Sequence, residues 1–581
     1  MNYQMFDQEG TDFQSLVPER GPVGSYQWAT WATVNPERGK YNWSNIDARL
    51  RAVENMTVTL ASGEVIPHPV IVTVMCYLSS AYGWSSAEFY DATPQWVYRE
   101  MGDRPEVGGR LVGHKLTGCG YVAVMPAWDS YVWRSAWLDF VKAFGEHYAN
   151  DPRVSGIVIS TGLDGETQPI KNYHCQWETI IDEQAPGTNY RFSQLWRDTM
   201  LAYRNAFPNT QLWIDNVAGG SGTRKASSDY AATLNIGLQN SALTTDIDSH
   251  TGYGGWTGQW DMERTYSQTL NMNFETRLGY GSKETMYWTY LAGLHYHPDV
   301  ITVHPDYLTV LDPATLGWVN SHIGVTLEDT PSVWIAFRDY EYPKVSWGSN
   351  NQEGASGAMD DWSFWITRIK GGIRTFALPE HEMYSRQART TDDTIVLNID
   401  DGFVRPNYEA CLVYVDSGTD YIRVDWSTGW ALRQKHNSGE WVTWNFPLHA
   451  YEPSYDIVID STKDGIEIVH MLEVIGLWTV YTPTLSPVPS ATIPPIPTRT
   501  KTVTATISPS PQPTTITPTA TRTGTPVYGA LSAICDQCQL IYDGETWLIP
   551  LSQIGEGVEL VPVNNKLWAC SPSCEWSEIV K

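Results

Sequence analysis

The sequence predicts an α/β barrel of eight β/α units, (β/α)₈ or TIM barrel, followed by an all-β sandwich, a Thr/Pro-rich linker and a small cysteine-containing β module. Three observations predict it. Over residues 1–329, short apolar runs alternate with segments of helical apolar spacing, the pattern of β/α units around a parallel sheet. From about Thr330 the helical spacing stops and short strands follow one another between turns, as in a sandwich or jelly roll. Finally, Val154–Glu166 (VSGIVISTGLDGE) reads as a strand buried on both faces that breaks into a glycine-punctuated turn bearing Asp164 and Glu166. A buried parallel strand ending in an acidic loop is how such a barrel builds a functional edge, because its sites lie at the carboxyl ends of the strands.

Taken in order, Pro22–Trp31 reads as the first strand, with a turn around Pro36 and Gly39 and a helix from about Ser44. Ser44 is a candidate N-cap, and Asp47 in the first turn suits the helix dipole. His68–Leu78 is a second strand and Tyr121–Asp129 a third, separated by a Gly-rich stretch long enough to be an active-site loop. Ser135–Ala149 is helical by spacing and leads through Asp151-Pro152-Arg153 into the fourth strand. Gln211–Val217, Thr245–His250, Leu270–Glu275 and the run from Asp299 supply the fifth to eighth strands, with a helix from Ser282 to His297 and a last one from Pro313 to Ile323.

In the second half, VWIAFRDY, TIVLNID, CLVYVD, YIRVDW, EWVTWNFPL, YDIVID and IEIVHMLEVIGL are the sandwich strands of residues 330–480. Residues 481–526 are Thr/Pro/Ser-rich and cannot bury a core; as a polyproline-like spacer they would span on the order of 140 Å. Residues 527–581 carry Cys535, Cys538, Cys570 and Cys574, whose two pairs fit stapling disulfides, a zinc site or free thiols. Cys76, Cys119, Cys175 and Cys411 are scattered and read mostly as buried apolar residues.

Composition narrows the function. A net charge of -27 argues against nucleic acid, whose phosphates would be repelled. No run of about 18 apolar residues exists, so no membrane insertion is expected. The N-terminal residues lack the basic and apolar regions of a signal peptide, whereas the Thr/Pro tract suits an extracellular or cell-surface location. With 27 Trp and 32 Tyr against 13 Phe, the aromatics carry polar handles suited to wet clefts that stack on sugar rings. The pair His295 and His297 lacks the spacing and third ligand of a zinc centre, and no phosphate loop, Rossmann fingerprint or G-x-S-x-G elbow is present, so no metal and no cofactor are expected.

The Trp31 and NPERGKYNWSNID segment resembles the opening strand and loop of clan A glycoside hydrolases, especially the family 42 β-galactosidase-like barrels, although Asn35 stands where an acidic residue is usual. Tyr148, then Asp-Pro-Arg-Val, a buried strand and Gly162-x-x-Gly165-Glu166 resembles the approach to their acid/base residue. The resemblance implies a retaining glycosidase on a β-linked oligo- or polysaccharide, a β-galactoside first, using two glutamates. Glu166, after the fourth strand, is then the acid/base, and Glu275, ending the seventh, the nucleophile. Asp215 and Asp248 are the alternative carboxylates. Candidate substrate contacts are Trp31, Trp128, Trp288, Asp164, Asn216, His250, Tyr253 and His304, with Trp84 and Trp256 as further aromatics; each barrel Trp is also a candidate core residue, because a barrel needs large side chains between its layers. Gly165 replaces the usual Asn before the acid/base. That substitution leaves a second expectation open, a non-catalytic carbohydrate-binding or adhesion protein of a surface or virion on a decayed barrel. The C-terminal module would attach either protein to a cell surface or polysaccharide.

Overall fold

A computed structural model of the chain describes residues 5–7, 23–59, 65–76, 92–102, 113–116, 123–160, 162, 165, 190–215, 221–243, 245, 265–276, 282–304, 307–337 and 361–477, some of these ranges with a few residues left out, and five strands between 537 and 579. The chain divides into two compact units, Met1–Trp478 and Thr479–Lys581. The first begins with a closed barrel whose strands, in order around the wall, are Met5–Asp7, Val23–Thr30, Val70–Met75, Val154–Ile159, Gln211–Asp215, Gly237–Leu243, Met272–Thr276 and Val300–Val303. Every neighbouring pair is parallel, and Met5–Asp7 closes the ring by pairing with Val300–Val303 on one side and Val23–Thr30 on the other.

Two expected strands are corrected. Within Tyr121–Asp129 the described strand is Ala123–Pro126, and it pairs antiparallel with Gly113–Leu116 in a sheet separate from the barrel. The sixth strand is Gly237–Leu243 in place of Thr245–His250; residues 246–250 lie outside the described residues. The opening strand Met5–Asp7 had no signal, because three residues make no periodic run. The omission at the start and the surplus third strand cancel, so Val154–Ile159 is still the fourth barrel strand and Met272–Thr276 still the seventh.

Alternation along the strands separates two apolar cores. Inside the barrel, Trp213 packs with Ile71, Val158 and Val300, and Tyr26 lies against them. Outside, Val70, Val72, Val74, Leu212, Ile214 and Phe274 face the helices. The inner ring of Trp213 has room only because its neighbouring strands carry glycine: a methyl at Gly156 or Gly237 would overlap it. On the outer side, helix Tyr131–Tyr148 places Trp133, Trp137, Phe140, Phe144 and Tyr148 on one face at helical spacing. Trp31 meets Trp137 and Trp133 edge-on, with centroids 5.1 and 5.6 Å apart, contacts each worth about 0.5–1.5 kcal/mol beyond burial. The helix expected from Ser44 runs Ser44–Ala52, but Ser44 is its first helical residue and not its cap. The Ser44 N–H donates to Asn42 Oδ1.

Beyond the barrel two antiparallel sheets, of seven and five strands, face one another over a shared core that includes Val333, Leu412 and Leu472 from one sheet and Leu397, Val424 and Ile459 from the other. Each expected sandwich segment carries a strand, from Ser332–Ala336 to Glu467–Leu477. The sandwich packs directly on the barrel's helices: the Tyr287 hydroxyl and His470 Nε2 are 2.9 Å apart, and the Trp318 indole and the Ser332 hydroxyl both donate to Glu473. Burial pushes the Glu473 carboxyl up, against the pull of those two donors. Cys76 and Cys411 are buried, as expected of them.

The second unit contributes an antiparallel pair, Gln537–Tyr542 with Glu545–Pro550, and a three-stranded sheet of Glu559–Val563, Lys566–Cys570 and Trp576–Ile579. Cys538 and Cys570 fall on its strands, whereas Cys535 and Cys574 lie outside the described residues.

Two stability measurements follow from this packing. Gly156→Ala forces a methyl against Trp213 and should cost about 1–3 kcal/mol, read as a lowered urea midpoint at unchanged slope. A midpoint equal to wild type would show that Trp213 can yield. Burial, reinforced by the Arg49 charge, holds His68 neutral and depresses it to about 4, whereas an unfolded histidine titrates near 6.5. Its contribution is therefore complete above about pH 6.5 and is lost as the pH falls toward 4. His68→Gln should narrow the stability difference between pH 7 and pH 5 by about 1–2 kcal/mol.

Candidate active site

The pleat that buries Trp213 also brings polar side chains into the barrel one step nearer the carboxyl ends. Asp215 follows Trp213 by two residues and therefore shares its inward face. Gln239 pairs with Asp215 in register on one side and with Asn273 on the other. Glu275, two residues beyond Asn273, is half-buried at the end of the seventh strand, beside Thr302 of the eighth. Buried apolar strands carry such polar residues only where a partner is in reach.

The partners form two short connections centred on the sixth strand. Thr302 Oγ1 donates to Asn273 Oδ1 (3.1 Å), Asn273 Nδ2 to Gln239 Oε1 (2.8 Å), and Gln239 Nε2 to Glu275 Oε2 (3.3 Å). Two residues on, the Ser241 hydroxyl donates to Asp215 Oδ2. Asp215 is 4 % exposed. The sixth strand thus gives one donor to each of two carboxylates, on the strands to its left and right.

Tyr26 reports the charge of this space. Its phenol is pushed well above the ordinary tyrosine range, first by loss of solvent, then by the negative charges of Glu275 and Asp215, with a hydrogen bond to Thr73 working against them. Both carboxylates therefore act on the same interior. One pleat period further on, Trp28 lies toward the mouth and is 51 % exposed, while the intervening Gln27 points outward to Asn45 and Arg49 of the first long helix.

The aromatic candidates divide sharply. Trp31 is wholly buried among Trp96, Trp133 and Trp137, with its indole N–H on Asn35, so it is a core residue and not a substrate contact. Trp288 points away from the barrel axis, donates to the Met383 carbonyl and lies edge-on to His470 of the sandwich. Trp128 is buried in the outer core with the helices. These three corrections have one cause: barrel helices need large rings to fill the space against the wall, and Trp serves there as readily as at a mouth. His304 is half-buried just past the eighth strand, its backbone N–H donated to Thr276 Oγ1.

Glu166, Asp164, Asn216, His250 and Tyr253 lie outside the described residues, as do Trp84, Asp248 and Trp256. Gly165 is described and has φ +89, a left-handed conformation that glycine adopts without strain, with its N–H on the Gly162 carbonyl at 3.4 Å. Sequence reading passed over Tyr26, Trp28, Gln239, Asn273 and Thr302. Their signal was present, as polar or amphipathic residues at alternate positions of otherwise buried runs, but it depends on knowing which face is inside.

No family model and no curated protein matches the chain. Solved structures to which it is similar include a β-galactosidase from the psychrophilic Marinomonas ef1, at 10% identity and TM-score 0.32 over 54% of this chain and 58% of that one. A β-galactosidase from Rahnella sp. R3 aligns at 10% identity and TM-score 0.34, over 56% and 57%. A psychrophilic family 10 endo-β-1,4-xylanase aligns at 11% and 0.28, over 52% and 85%. The chain thus spans less than two thirds of either β-galactosidase. At TM-scores below 0.5 these likenesses do not define the fold, which rests on the strand register above.

Proposed function

We propose that the chain is a retaining glycoside hydrolase acting on a β-linked oligo- or polysaccharide, with Glu275 as nucleophile and Glu166 as acid/base. The observation that carries this reading is the placement of Glu275: a carboxylate at the carboxyl end of the seventh strand, inside the ring, held by an amide donor and sharing its space with Asp215 and Tyr26. Hydrolysis with retention needs a second carboxyl group about 5 Å away. Glu166 follows the fourth strand by seven residues in sequence, and that strand stands three places from the seventh around the ring. An ionised nucleophile nearby would raise the acid's pKa and keep it protonated for the leaving group. A β-galactoside is the first substrate to try, because the NPERGKYNWSNID segment resembles family 42. An extracellular setting, with the C-terminal module attaching the enzyme to a surface or polysaccharide, belongs to the same proposal.

Trp28, exposed at the mouth on the inward face, is the ring on which a sugar would stack. The alternative, a carbohydrate-binding protein on an inactive barrel, draws on Gly165, where the family resemblance calls for an Asn side chain.

Hydrolysis of a panel of aryl β-glycosides and polysaccharides separates the two readings. Glu166→Gln and Glu275→Gln should each lower turnover by roughly 10²–10⁴-fold while the protein stays folded. Binding of a polysaccharide with no turnover by the wild type would favour the alternative. Trp28→Ala should raise KM by about 5–100-fold, from about 1–3 kcal/mol of lost stacking, with a smaller change in kcat. An unchanged KM would remove Trp28 from the site.

A further inference from the structure

The relay from Thr302 through Asn273 and Gln239 to Glu275 has a direction. An amide has one donating and one accepting end. Asn273 accepts from Thr302 through Oδ1 and donates its NH₂ to Gln239 Oε1, which leaves the Gln239 NH₂ for Glu275. The opposite polarity would turn the Gln239 oxygen onto a carboxylate oxygen, two acceptors face to face, unless Glu275 carried a proton. The polarity of two buried amides is thus tied to the protonation state of one carboxyl group. The relay lies on three adjacent barrel strands whose register sets it: Gln239 faces Asn273, and Glu275 faces Thr302.

We propose that Gln239 is a positioning residue whose orientation, coupled to that of Asn273 and completed by Thr302, holds Glu275 as an ionised acceptor and so assigns it to nucleophilic attack and excludes it from proton donation. The functional consequence rests on the glycosidase reading; the relay itself does not. A hydrogen bond donated to a carboxylate favours its charged form over its protonated form. Loss of the Gln239 donor therefore makes the ionised form of Glu275 less stable and moves its titration upward by about one unit or more. Thr302 acts at the far end of three hydrogen bonds, so its loss relaxes the orientation and produces a smaller shift of the same sign.

The test reads Glu275 directly. Labelling of its carboxyl by a carbodiimide and glycinamide, followed by peptide mass spectrometry from about pH 3 to 8, gives its titration midpoint whether or not the protein turns over a substrate. Gln239→Leu should raise that midpoint by about one unit or more. Thr302→Val, nearly isosteric, should raise it by less, and carries the test should Gln239→Leu not fold. On an aryl glycoside, the acid limb of kcat/KM should move up by the same amount, with kcat falling more than KM rises. Midpoints within about 0.2 unit of wild type in a folded variant would overturn the relay. Activity in the wild type with unmoved midpoints leaves the glycosidase reading standing and rejects the positioning role. Moved midpoints in a wild type that hydrolyses nothing do the reverse.

Discussion

A ring of eight strands encloses a space that side chains must fill, and in this barrel a single indole fills much of it. Trp213 occupies the interior with Ile71, Val158 and Val300, and the strands on either side of it present glycine where any other residue would collide. Everything nearer the mouth stands on this apolar floor. Water is excluded from below, so the charges of Asp215 and Glu275 act through a poorly screened medium and are felt at Tyr26. Those acids persist there because the sixth strand supplies a donor to each. The cost of a buried carboxylate is offset locally, one hydrogen bond at a time.

The outer face of the same wall explains a second feature, the helix Lys283–His295. It is buried nearly all round, because one side meets the barrel and the other the sandwich. Such a helix shows little amphipathic contrast. Tyr287 and Trp288 pack on His470 and Tyr384 of the sandwich. The sandwich is in this sense part of the barrel's wall: it covers the helix that connects Glu275's strand to the last one. The half-buried Glu473, bonded to Trp318 and Ser332, ties the same seam from the sandwich strand Glu467–Leu477.

Much of this was legible from composition and spacing. VIVTVM and VSGIVI are short, β-branched and continuous, so burial on both faces follows from their content alone. The sandwich strands announced themselves through turns, and the long helix Tyr131–Tyr148 through its row of rings. Where reading failed, the residues show why. GLQNSAL is a barrel strand whose polar centre faces other polar groups, so hydropathy points away from it toward a later segment. YVAVMPAWD has the content of a buried strand but makes a hairpin, since content does not choose a partner. Trp31 and Trp288 have the chemistry of sugar platforms and the surroundings of core residues.

By itself, then, the sequence determined the alternation of strands and helices in the first half and the run of strands after it, because apolar period is a property of the chain taken in order. Tertiary structure alone decided which side of each strand faces the axis, and so which residues meet. Gln239, Asn273 and Thr302 are separated along the chain and joined only by register. Tyr26 and Glu275 lie at opposite ends of the barrel sequence and act on one another across its interior. A local pattern sets where a strand begins; closure of the ring sets what its side chains touch.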